Sequence, residues 1–247
     1  MLTLIVMILK GKTALITGGA VRIGRTLGLE LARQGMNVAV HYHTSAPQAG
    51  KLVLELRRLG VRACAVKAPL NSEAGCRRLI AATIRNMGSL DVLINNAAVF
   101  HKQSFRDLHA KTIPEDLGIN LIAPMLLIRF FAETVKAGKV VNLLDRRITG
   151  LDISCVPYVL SKKALEQATR LAALEYAPRI TVNAIAPGAV LPPPGKGAKY
   201  LHDAAGLIPL QCRNTPEEIA SAAVYLLSQD GMTGQVLFVD GGQHLLG

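Results

Sequence analysis

Short runs of apolar, β-branched residues alternate along the chain with longer stretches that have the spacing of amphipathic helices. Continuous Val, Ile and Leu strands separated by helices are typical of a parallel sheet that is covered on both faces. We therefore predict an α/β fold. The seven predicted strands are residues 13–17, 37–42, 61–67, 91–96, 139–144, 179–187 and 235–240.

The boundaries between these elements indicate one domain. Gly35 and Gly60 follow the first two helical patterns, where a glycine commonly ends a helix. We find neither an internal repeat nor a linker, and we expect a single domain over residues 11–247 after an N-terminal extension, residues 1–10. Segment 188–214 is long and rich in proline and glycine, which predicts a mobile functional loop.

Composition narrows the classes of protein that the sequence fits. The formal net charge is +11, but the 28 Lys and Arg are dispersed and Trp is absent, which argues against a nucleic-acid surface and suits an anionic cofactor or substrate. No apolar run is long enough to span a bilayer, and the N-terminus lacks the features of a signal peptide. We expect a cytoplasmic protein that binds no membrane and no metal. The cysteines, which form no CxxC pair and fit reduced thiols, are Cys64, Cys76, Cys155 and Cys212.

The stretch TGGAVRIGR, residues 17–25, follows the first predicted strand and opens the first predicted helix. Such a turn presents backbone N–H groups and the positive end of a helix dipole to phosphate. We predict a dinucleotide-binding turn with Gly18, Ile23 and Gly24 as contacts, and a purely structural turn is the alternative. Arg22 is the anomaly, because a small residue is expected at its position.

The second predicted strand ends without the acidic residue that binds the ribose 2′-hydroxyl of NAD. No Asp or Glu occurs between Glu30 and Glu55, and a carboxylate there would repel a 2′-phosphate. With Arg22 nearby, the turn HYHTSA therefore favours NADPH, although ordinary exposed polar residues are the alternative. The predicted contacts in this turn are His41, Tyr42, His43, Thr44 and Ser45.

Tyr158 and Lys162 lie four residues apart, on one face of a predicted helix. A phenol has an ordinary pKa of about 10 and is a poor acid at neutral pH. A nearby ammonium group favours the phenolate and lowers that pKa, so we expect the pair to transfer a proton near physiological pH. YxxxK is common in ordinary helices, and its weight here comes from its position after the fifth predicted strand.

Further motifs align with this pair: NNAA at residues 95–98, Asn120 in INLIAPMLL, NAIAPGAV after the sixth predicted strand, and DGG at residues 240–242. Together they resemble the short-chain dehydrogenase/reductase family. The resemblance implies a Rossmann-type, doubly wound parallel sheet of seven strands, hydride transfer from a nicotinamide, and commonly a homotetramer. It also implies catalytic roles for Asn120, Tyr158 and Lys162, with Lys162 binding the nicotinamide ribose. The remaining implied cofactor contacts are Leu70, Asn96, Ala97, Pro187 and Gly188.

One position departs from the family pattern. The family normally has a serine thirteen positions before the catalytic tyrosine, and this chain has Asp145 there. A carboxylate repels an oxyanion in a site of low dielectric constant, so Asp145 argues against ordinary ketone reduction. It fits a ring nitrogen, an amino group or a proton relay with Tyr158. The alternative is a surface aspartate, with the role of the serine supplied by Thr149 or Ser154.

The combination of TGGAVRIG, HYHTSA, NNAAVF and Asp145 resembles the pteridine reductase branch, which includes bacterial dihydromonapterin reductases. The resemblance implies that Arg22 contacts both a cofactor phosphate and the pterin. It also implies that Phe100 stacks the pterin against the nicotinamide, and a core phenylalanine is the alternative. We therefore expect NADPH-dependent reduction of a pterin C=N bond, from dihydropterin to tetrahydropterin. The implied substrate contacts are Arg22, Ala98, Phe100, Asp145 and Tyr158.

Three positions differ from that branch. Ala98 stands where parasitic pteridine reductases have serine, Pro69 replaces the aspartate that usually meets the adenine, and Thr44 replaces an arginine that often contacts the 2′-phosphate. The backbone N–H of Leu70 can still serve the adenine. The competing hypotheses are a carbonyl reductase, such as a 3-oxoacyl thioester reductase, and a nucleotide-binding regulator without catalysis. Asp145 and Arg22 disfavour the first, and the intact set of Asn, Tyr and Lys disfavours the second.

Overall fold

A computed structural model describes residues 9–192, 195, 197 and 206–246. Its centre is one sheet of seven strands, all paired in parallel, in the spatial order β3-β2-β1-β4-β5-β6-β7. This is the predicted doubly wound Rossmann-type fold. The strands are β1 (Thr13–Ile16), β2 (Asn37–Tyr42), β3 (Ala63–Lys67), β4 (Val92–Asn95), β5 (Gly138–Leu143), β6 (Ile180–Pro187) and β7 (Val236–Val239).

Helices cover both faces of the sheet, and a π-helical turn joins the fourth to the fifth. Two short 3-10 turns, Arg146–Ile148 and Gln243–Leu246, follow β5 and β7. The helices are α1 (Arg22–Arg33), α2 (Ala46–Arg58), α3 (Glu73–Met87), α4 (Thr112–Leu117), the π turn Gly118–Ile122, α5 (Ala123–Thr134), α6 (Val156–Tyr176) and α7 (Pro216–Ser228).

The two faces of the sheet carry separate apolar clusters. On one face Leu27 and Leu31 of α1 pack with Leu56 of α2 and with buried residues of α7. On the other face Leu79 of α3 and Phe131 of α5 pack against the same strands. Because β1 and β4 are buried on both sides, their sequences read as continuous apolar runs, which is why a parallel sheet was predictable.

Strand β2 lies next to β1 on one edge, and the chain later returns to place β4 next to β1 on its other edge. A crevice opens at the carboxyl ends of strands where the order reverses in this way. Thr17 Oγ1 accepts hydrogen bonds from Asn96 N at 2.9 Å and Ala97 N at 3.0 Å. Asn96 Nδ2 donates to the carbonyl oxygens of Thr17 and Gly18 at 2.9 and 3.1 Å. The loops after β1 and β4 are therefore fixed side by side at this crevice.

Glycine ends the first two helices as predicted, since Gly35 and Gly60 have φ of 79° and 84°. Residues 1–8 of the predicted extension lie outside the described residues, and Leu9 is buried in the core. Residues 193–194, 196 and 198–205 of the predicted loop also lie outside them. Among the described residues, the helical stretch Thr112–Thr134 is long and apolar enough to cross a membrane by length and composition, and 44% of its most apolar part is buried in this fold.

Candidate active site

The turn after β1 has the backbone of a phosphate-binding loop. Gly18 has φ of 59°, and a Cβ on Gly24 would collide with the Gly18 carbonyl oxygen. Helix α1 begins after Val21 without a side-chain cap, and its first turn contains no acidic residue. The first N–H groups of the helix therefore lack a side-chain acceptor and suit an anion. The residues present fit the pyrophosphate of a dinucleotide.

Arg22 occupies the position in this turn where the sequence predicts a small residue, and it has φ of 56°. This left-handed region favours glycine, and a residue with a Cβ costs about 1–3 kcal/mol there. Its guanidinium donates to the carbonyl oxygens of Pro192 at 2.8 Å and Leu191 at 3.3 Å, just after β6. A strained residue with a long cationic side chain at a binding crevice points to a functional role for that side chain.

His41 corrects one predicted cofactor contact. Its Nδ1 accepts from Gly18 N at 3.0 Å, so Nε2 carries the hydrogen and donates to Ala68 O at 3.0 Å. Burial lowers the pKa of this imidazole and keeps it neutral. Both ring nitrogens are engaged within the protein, and His41 therefore supports the glycine turn instead of offering a donor to a 2′-phosphate. The exposed side chains of His43 and Thr44 follow it.

Tyr158 and Asp145 meet as the resemblance implied. The Tyr158 hydroxyl donates to Asp145 Oδ2 at 3.0 Å. The Phe100 ring lies edge-to-face against the Tyr158 ring, with centroids 4.8 Å apart and an interplanar angle of 74°. Phe100 remains 49% exposed, so it is not a core residue. A tyrosine, a carboxylate and an available aromatic face are thus gathered at the carboxyl edge of the sheet.

The electrostatics of the tyrosine and lysine differ from the prediction. Burial raises the pKa of Tyr158 well above its usual value, and the charge and hydrogen bond of Asp145 raise it further. Lys162 Nζ lies 5.8 Å from the centroid of the Tyr158 ring and donates to Leu143 O at 2.6 Å. Burial lowers the pKa of Lys162 to about 8. The expectation that lysine lowers the phenol pKa was therefore wrong, because desolvation and Asp145 dominate. Tyr158 remains a neutral phenol.

Asn120 lies in the π turn between α4 and α5, a kind of turn often found at functional sites. Its Oδ1 accepts from Val99 N at 2.9 Å, and its Nδ2 donates to Val99 O at 2.9 Å and Ser161 Oγ at 3.1 Å. Nδ2 also approaches Asp116 Oδ1 at 3.3 Å, and the other oxygen of this buried carboxylate contacts His101 Nδ1 at 2.8 Å. Sequence reasoning missed Asp116 and His101, since neither belongs to a local motif.

Arg147, which the sequence did not reveal, contacts Asp145 directly. Its backbone N donates to Asp145 Oδ1 at 2.9 Å, and its Nη1 lies 3.2 and 3.0 Å from the two oxygens of that carboxylate. Burial alone would lower the pKa of Arg147, but Asp145 and Asp152 hold it above its ordinary value. The Asp145 carboxylate beside Tyr158 is thus one partner of an ion pair with Arg147 and not an isolated charge.

The alternative suppliers of a serine-like hydroxyl contact other groups. Thr149 Oγ1 donates to the carbonyl oxygens of Arg146 and His244, and Ser154 Oγ donates to Asp152. Neither hydroxyl bonds to Tyr158. The geometry therefore favours Asp145, and not Thr149 or Ser154, as the partner of the Tyr158 hydroxyl.

The remaining predicted contacts surround the same edge of the sheet. Leu70 is buried shortly after β3, Tyr42 ends β2, and Ala98 is exposed after β4. Pro187 ends β6, and Gly188 N donates to Val239 O at 3.0 Å. The side chains of Ser45, Ile23, Asn96 and Ala97 lie at the turns that the sequence assigned to the cofactor.

Comparison with known proteins defines the family. The family model described as Enoyl-(Acyl carrier protein) reductase matches residues 19–244. The chain therefore belongs to the short-chain dehydrogenase/reductase family and is an oxidoreductase of that family. It is 31% identical to Glucose 1-dehydrogenase 2 of Bacillus subtilis, with 96% of each chain covered. It is 32% identical to 3beta-hydroxysteroid dehydrogenase 1 of Eggerthella lenta, covering 96% of this chain and 95% of the relative.

Two similar solved structures have a name that differs from those of the two sequence relatives above. The chain is 32% identical to FolM Alternative dihydrofolate reductase 1 from Brucella canis, complexed with NADP, with a TM-score of 0.91 and 96% of each chain covered. It is 33% identical to FolM Alternative dihydrofolate reductase 1 from Brucella suis, also in complex with NADP, with a TM-score of 0.91 and 97% of each chain covered. The two solved structures thus share the fold of this chain, and the proteins similar to it are named for different substrates.

Proposed function

We propose that this protein is an NADPH-dependent reductase of a pterin C=N bond, converting a dihydropterin to a tetrahydropterin. The observation that carries the proposal is the 3.0 Å hydrogen bond between the Tyr158 hydroxyl and Asp145. A carboxylate in this place is suited to a substrate that presents donor nitrogens. The NADP-bound dihydrofolate reductases among the similar structures support the same class of substrate.

The residues around the crevice suit a flat, nitrogen-rich ring. Phe100 exposes an aromatic face next to Tyr158, and stacking on such a face is worth about 1–3 kcal/mol for a nucleobase. Arg22 lies at the turn that would hold the pyrophosphate, and its planar fork of donors suits both phosphate and a ring oxygen or nitrogen. Ala98 is exposed in the loop after β4, two residues before Phe100.

NADPH is the proposed cofactor, and when bound it supplies the hydride that reduces the carbon of the C=N bond. The backbone of Gly18 and the first turn of α1 would hold its pyrophosphate. Lys162 would bind the nicotinamide ribose. The polar turn after β2, which has no carboxylate, would receive the 2′-phosphate.

The side chains of the site perform the proton chemistry. Tyr158 is a neutral phenol and can donate its proton to the substrate nitrogen as the neighbouring carbon is reduced. Asp145 accepts from Tyr158 or from a substrate N–H. Lys162, buried beside the tyrosine, is placed to return a proton to it. Asn120 fixes the loop of Val99 next to Phe100.

Carbonyl reduction is the second candidate. Arg147 neutralises Asp145 and so weakens the repulsion that a carboxylate would exert on an alkoxide. Glucose 1-dehydrogenase 2 and 3beta-hydroxysteroid dehydrogenase 1 are named for other substrates than pterins. The family is shown, and the experiment must therefore decide which substrate the enzyme reduces.

The test is a turnover screen with NADPH against 7,8-dihydropterins, dihydrofolate, simple ketones and a 3-oxoacyl thioester. We expect dihydropterin or dihydrofolate to be reduced. Asp145→Ser should damage pterin reduction and spare or raise the rate on simple ketones. Phe100→Ala should weaken pterin binding by about 1–3 kcal/mol. Efficient reduction of the thioester without turnover of any dihydropterin would refute the proposal.

We also propose a cytoplasmic homotetramer, following the family resemblance. Helices α5 and α6 expose large apolar side chains, among them Met125 at 50%, Leu171 at 68% and Leu174 at 80%. Exposed apolar residues on adjacent helices are typical of an association surface. Light scattering after gel filtration measures the mass directly, and a monomer at micromolar concentration would refute the tetramer.

A further inference from the structure

We propose that Arg147 is a positioning residue that selects the substrate: its guanidinium holds the Asp145 carboxylate as an acceptor-only ion pair, which favours substrates with an N–H donor beside the reduced bond. The inference rests on the proposed pterin reduction and deepens it. Arg147 acts through Asp145 and does not itself touch the reacting atoms.

The hydrogen bonds of Asp145 carry the first step. Oδ1 accepts from the backbone N of Arg147 at 2.9 Å and from its Nη1 at 3.2 Å. Oδ2 accepts from the same Nη1 at 3.0 Å and from the Tyr158 hydroxyl at 3.0 Å. An ionised carboxylate accepts and does not donate. Any group that replaces Tyr158 on Oδ2 must therefore bring a hydrogen of its own.

Arg147 is itself held in place. Its Nε donates to Asp152 Oδ2 at 2.8 Å, and Asp152 Oδ1 accepts from Ser154 N at 2.9 Å and Ser154 Oγ at 2.6 Å. Side-chain exposure is 26% for Arg147 and 14% for Asp145, so the pair is largely shielded from water. The guanidinium is thus held by Asp152 at Nε and by Asp145 at Nη1, and Asp145 Oδ2 also meets the tyrosine hydroxyl.

The ion pair of Asp145 and Arg147 decides which acceptor the Tyr158 hydroxyl faces. In the described arrangement Tyr158 gives its single hydrogen bond to Asp145. A substrate N–H that donates to Oδ2 takes over this position and releases the hydroxyl toward the C=N nitrogen. The carbon of that bond gains the hydride, the nitrogen gains the Tyr158 proton, and the phenolate takes a proton from the Lys162 ammonium, which solvent restores.

A ketone has no N–H with which to displace Tyr158, and its oxygen would face a charged carboxylate oxygen. Removal of the Arg147 guanidinium removes both Nη1 contacts that hold the Asp145 carboxylate toward Tyr158. The carboxylate can then turn away, which leaves the Tyr158 hydroxyl available to a carbonyl oxygen. Loss of Arg147 should therefore shift the substrate preference from heterocycles with an N–H donor toward carbonyl compounds.

The experiment compares Arg147→Gln, which removes the charge, with Arg147→Lys, which keeps it. Arg146→Gln is the matched control, since Arg146 lies in the same 3-10 turn and its side chain has no partner among the described residues. The readout is kcat/KM for 7,8-dihydrobiopterin divided by kcat/KM for cyclohexanone. We expect Arg147→Gln to lower this ratio about tenfold or more. Arg147→Lys keeps a charge beside Asp145 but cannot reproduce both the Nη1 and the Nε contacts, so its ratio should lie between those of Arg147→Gln and the native protein, and Arg146→Gln should match the native ratio.

A double variant separates positioning from folding. Asp145→Asn with Arg147→Gln leaves no unpaired charge at position 145, while Asp152 keeps its hydrogen bonds from Ser154, so this variant should fold even where Arg147→Gln alone does not. If Arg147 acts through Asp145, the double variant behaves like Asp145→Asn alone. Additive losses, or an equal loss on both substrates that lysine does not rescue, would overturn the inference.

The same variants distinguish this inference from the proposed function. A native enzyme that reduces ketones and no dihydropterin refutes the proposed function. The ketone rate then tests Arg147 alone: it must rise in Arg147→Gln, and an unchanged or lower rate overturns the inference. NADPH affinity, followed by nucleotide fluorescence, should stay constant in all variants, and a parallel loss of affinity counts against a role through Asp145.

Discussion

The turn after β1 and the turn after β5 each bring an arginine to the carboxyl edge of the sheet, but the two arginines are held differently. Arg22 sits on a left-handed backbone, and its guanidinium contacts the carbonyl oxygens of Leu191 and Pro192. Arg147 is held through its side chain, in an ion pair with Asp145. The first turn is shaped by backbone conformation, and the second by contacts between charged side chains.

This difference assigns separate tasks to the two turns. A backbone cradle at a helix N-terminus binds phosphate, so changes in the β1 turn should alter affinity and stability. The side chains at the β5 turn surround the Tyr158 hydroxyl, so changes there should alter the rate. Substitutions at each turn test this division of tasks.

Removal of the tyrosine hydroxyl should have the largest effect. Tyr158→Phe keeps the ring against Phe100 and removes both the proton and the hydrogen bond to Asp145. We expect kcat to fall by about two to four orders of magnitude, because a positioned acid contributes that much. NADPH affinity should change little. A near-native rate in single-turnover measurements would place the proton donor elsewhere.

Lys162 should give a pH dependence of stability. Burial lowers its pKa from 10.5 to about 8 in the folded protein, so between these values the unfolded chain binds more protons. Stability therefore rises with pH through this window, and the burial penalty is fully present below pH 8. The expected rise is at most about 3 kcal/mol. Urea unfolding from pH 7.5 to 10.5 measures it.

Lys162→Met is the comparison for that experiment. It removes the buried ammonium and should flatten this part of the stability profile while leaving the glycine turn intact. A rise of the same size in the methionine variant would assign the effect to another group.

The sheet could be predicted from the sequence because its strands are buried on both faces. The predicted β2 coincides with the observed Asn37–Tyr42, and the other six strands agree within two residues at each end. The π turn at Gly118–Ile122 could not be predicted, because a bulge in a helix leaves no hydrophobic period. The glycine turn could be predicted, since its glycines and the arginine at a position where a small residue is expected lie within one short stretch of sequence.

The chemistry around Tyr158 was only partly predictable. Asp145 was found by its spacing from the tyrosine, but its partner Arg147 was not, because an ion pair leaves no mark at one position. The same limit explains the errors on His41 and on the pKa of Tyr158. Both depend on burial and on partners distant in sequence, which local patterns do not encode.

Arg22 provides the next test of the division. Arg22→Gly relieves the left-handed strain and loses the guanidinium, whereas Arg22→Ala loses the same contacts and keeps the strain. We expect the glycine variant to be about 1 kcal/mol more stable than the alanine variant. Both should bind NADPH and pterin more weakly than the native protein and to a similar degree. Equal stability of the two variants would show that the backbone at this position is not strained.

Cofactor preference should give the smallest effect. The turn after β2 has no carboxylate, and its exposed residues His43 and Thr44 can donate hydrogen bonds. NADPH should bind more tightly than NADH, and the preference should shrink as ionic strength rises from about 0.01 to 1 M, where the Debye length falls from about 30 to about 3 Å.

Thr44→Arg sharpens this last test, because a full charge replaces a hydroxyl at the predicted 2′-phosphate site. The variant should raise the ratio of NADPH to NADH affinity at low salt and make that ratio more dependent on salt. A substitution in the β5 turn, such as Asp145→Ser, should leave both quantities unchanged if the two turns have separate tasks. Equal affinities of the native protein for NADPH and NADH at low salt would contradict the preference. A change of the ratio in Asp145→Ser would show instead that the β5 turn also contributes to cofactor selection.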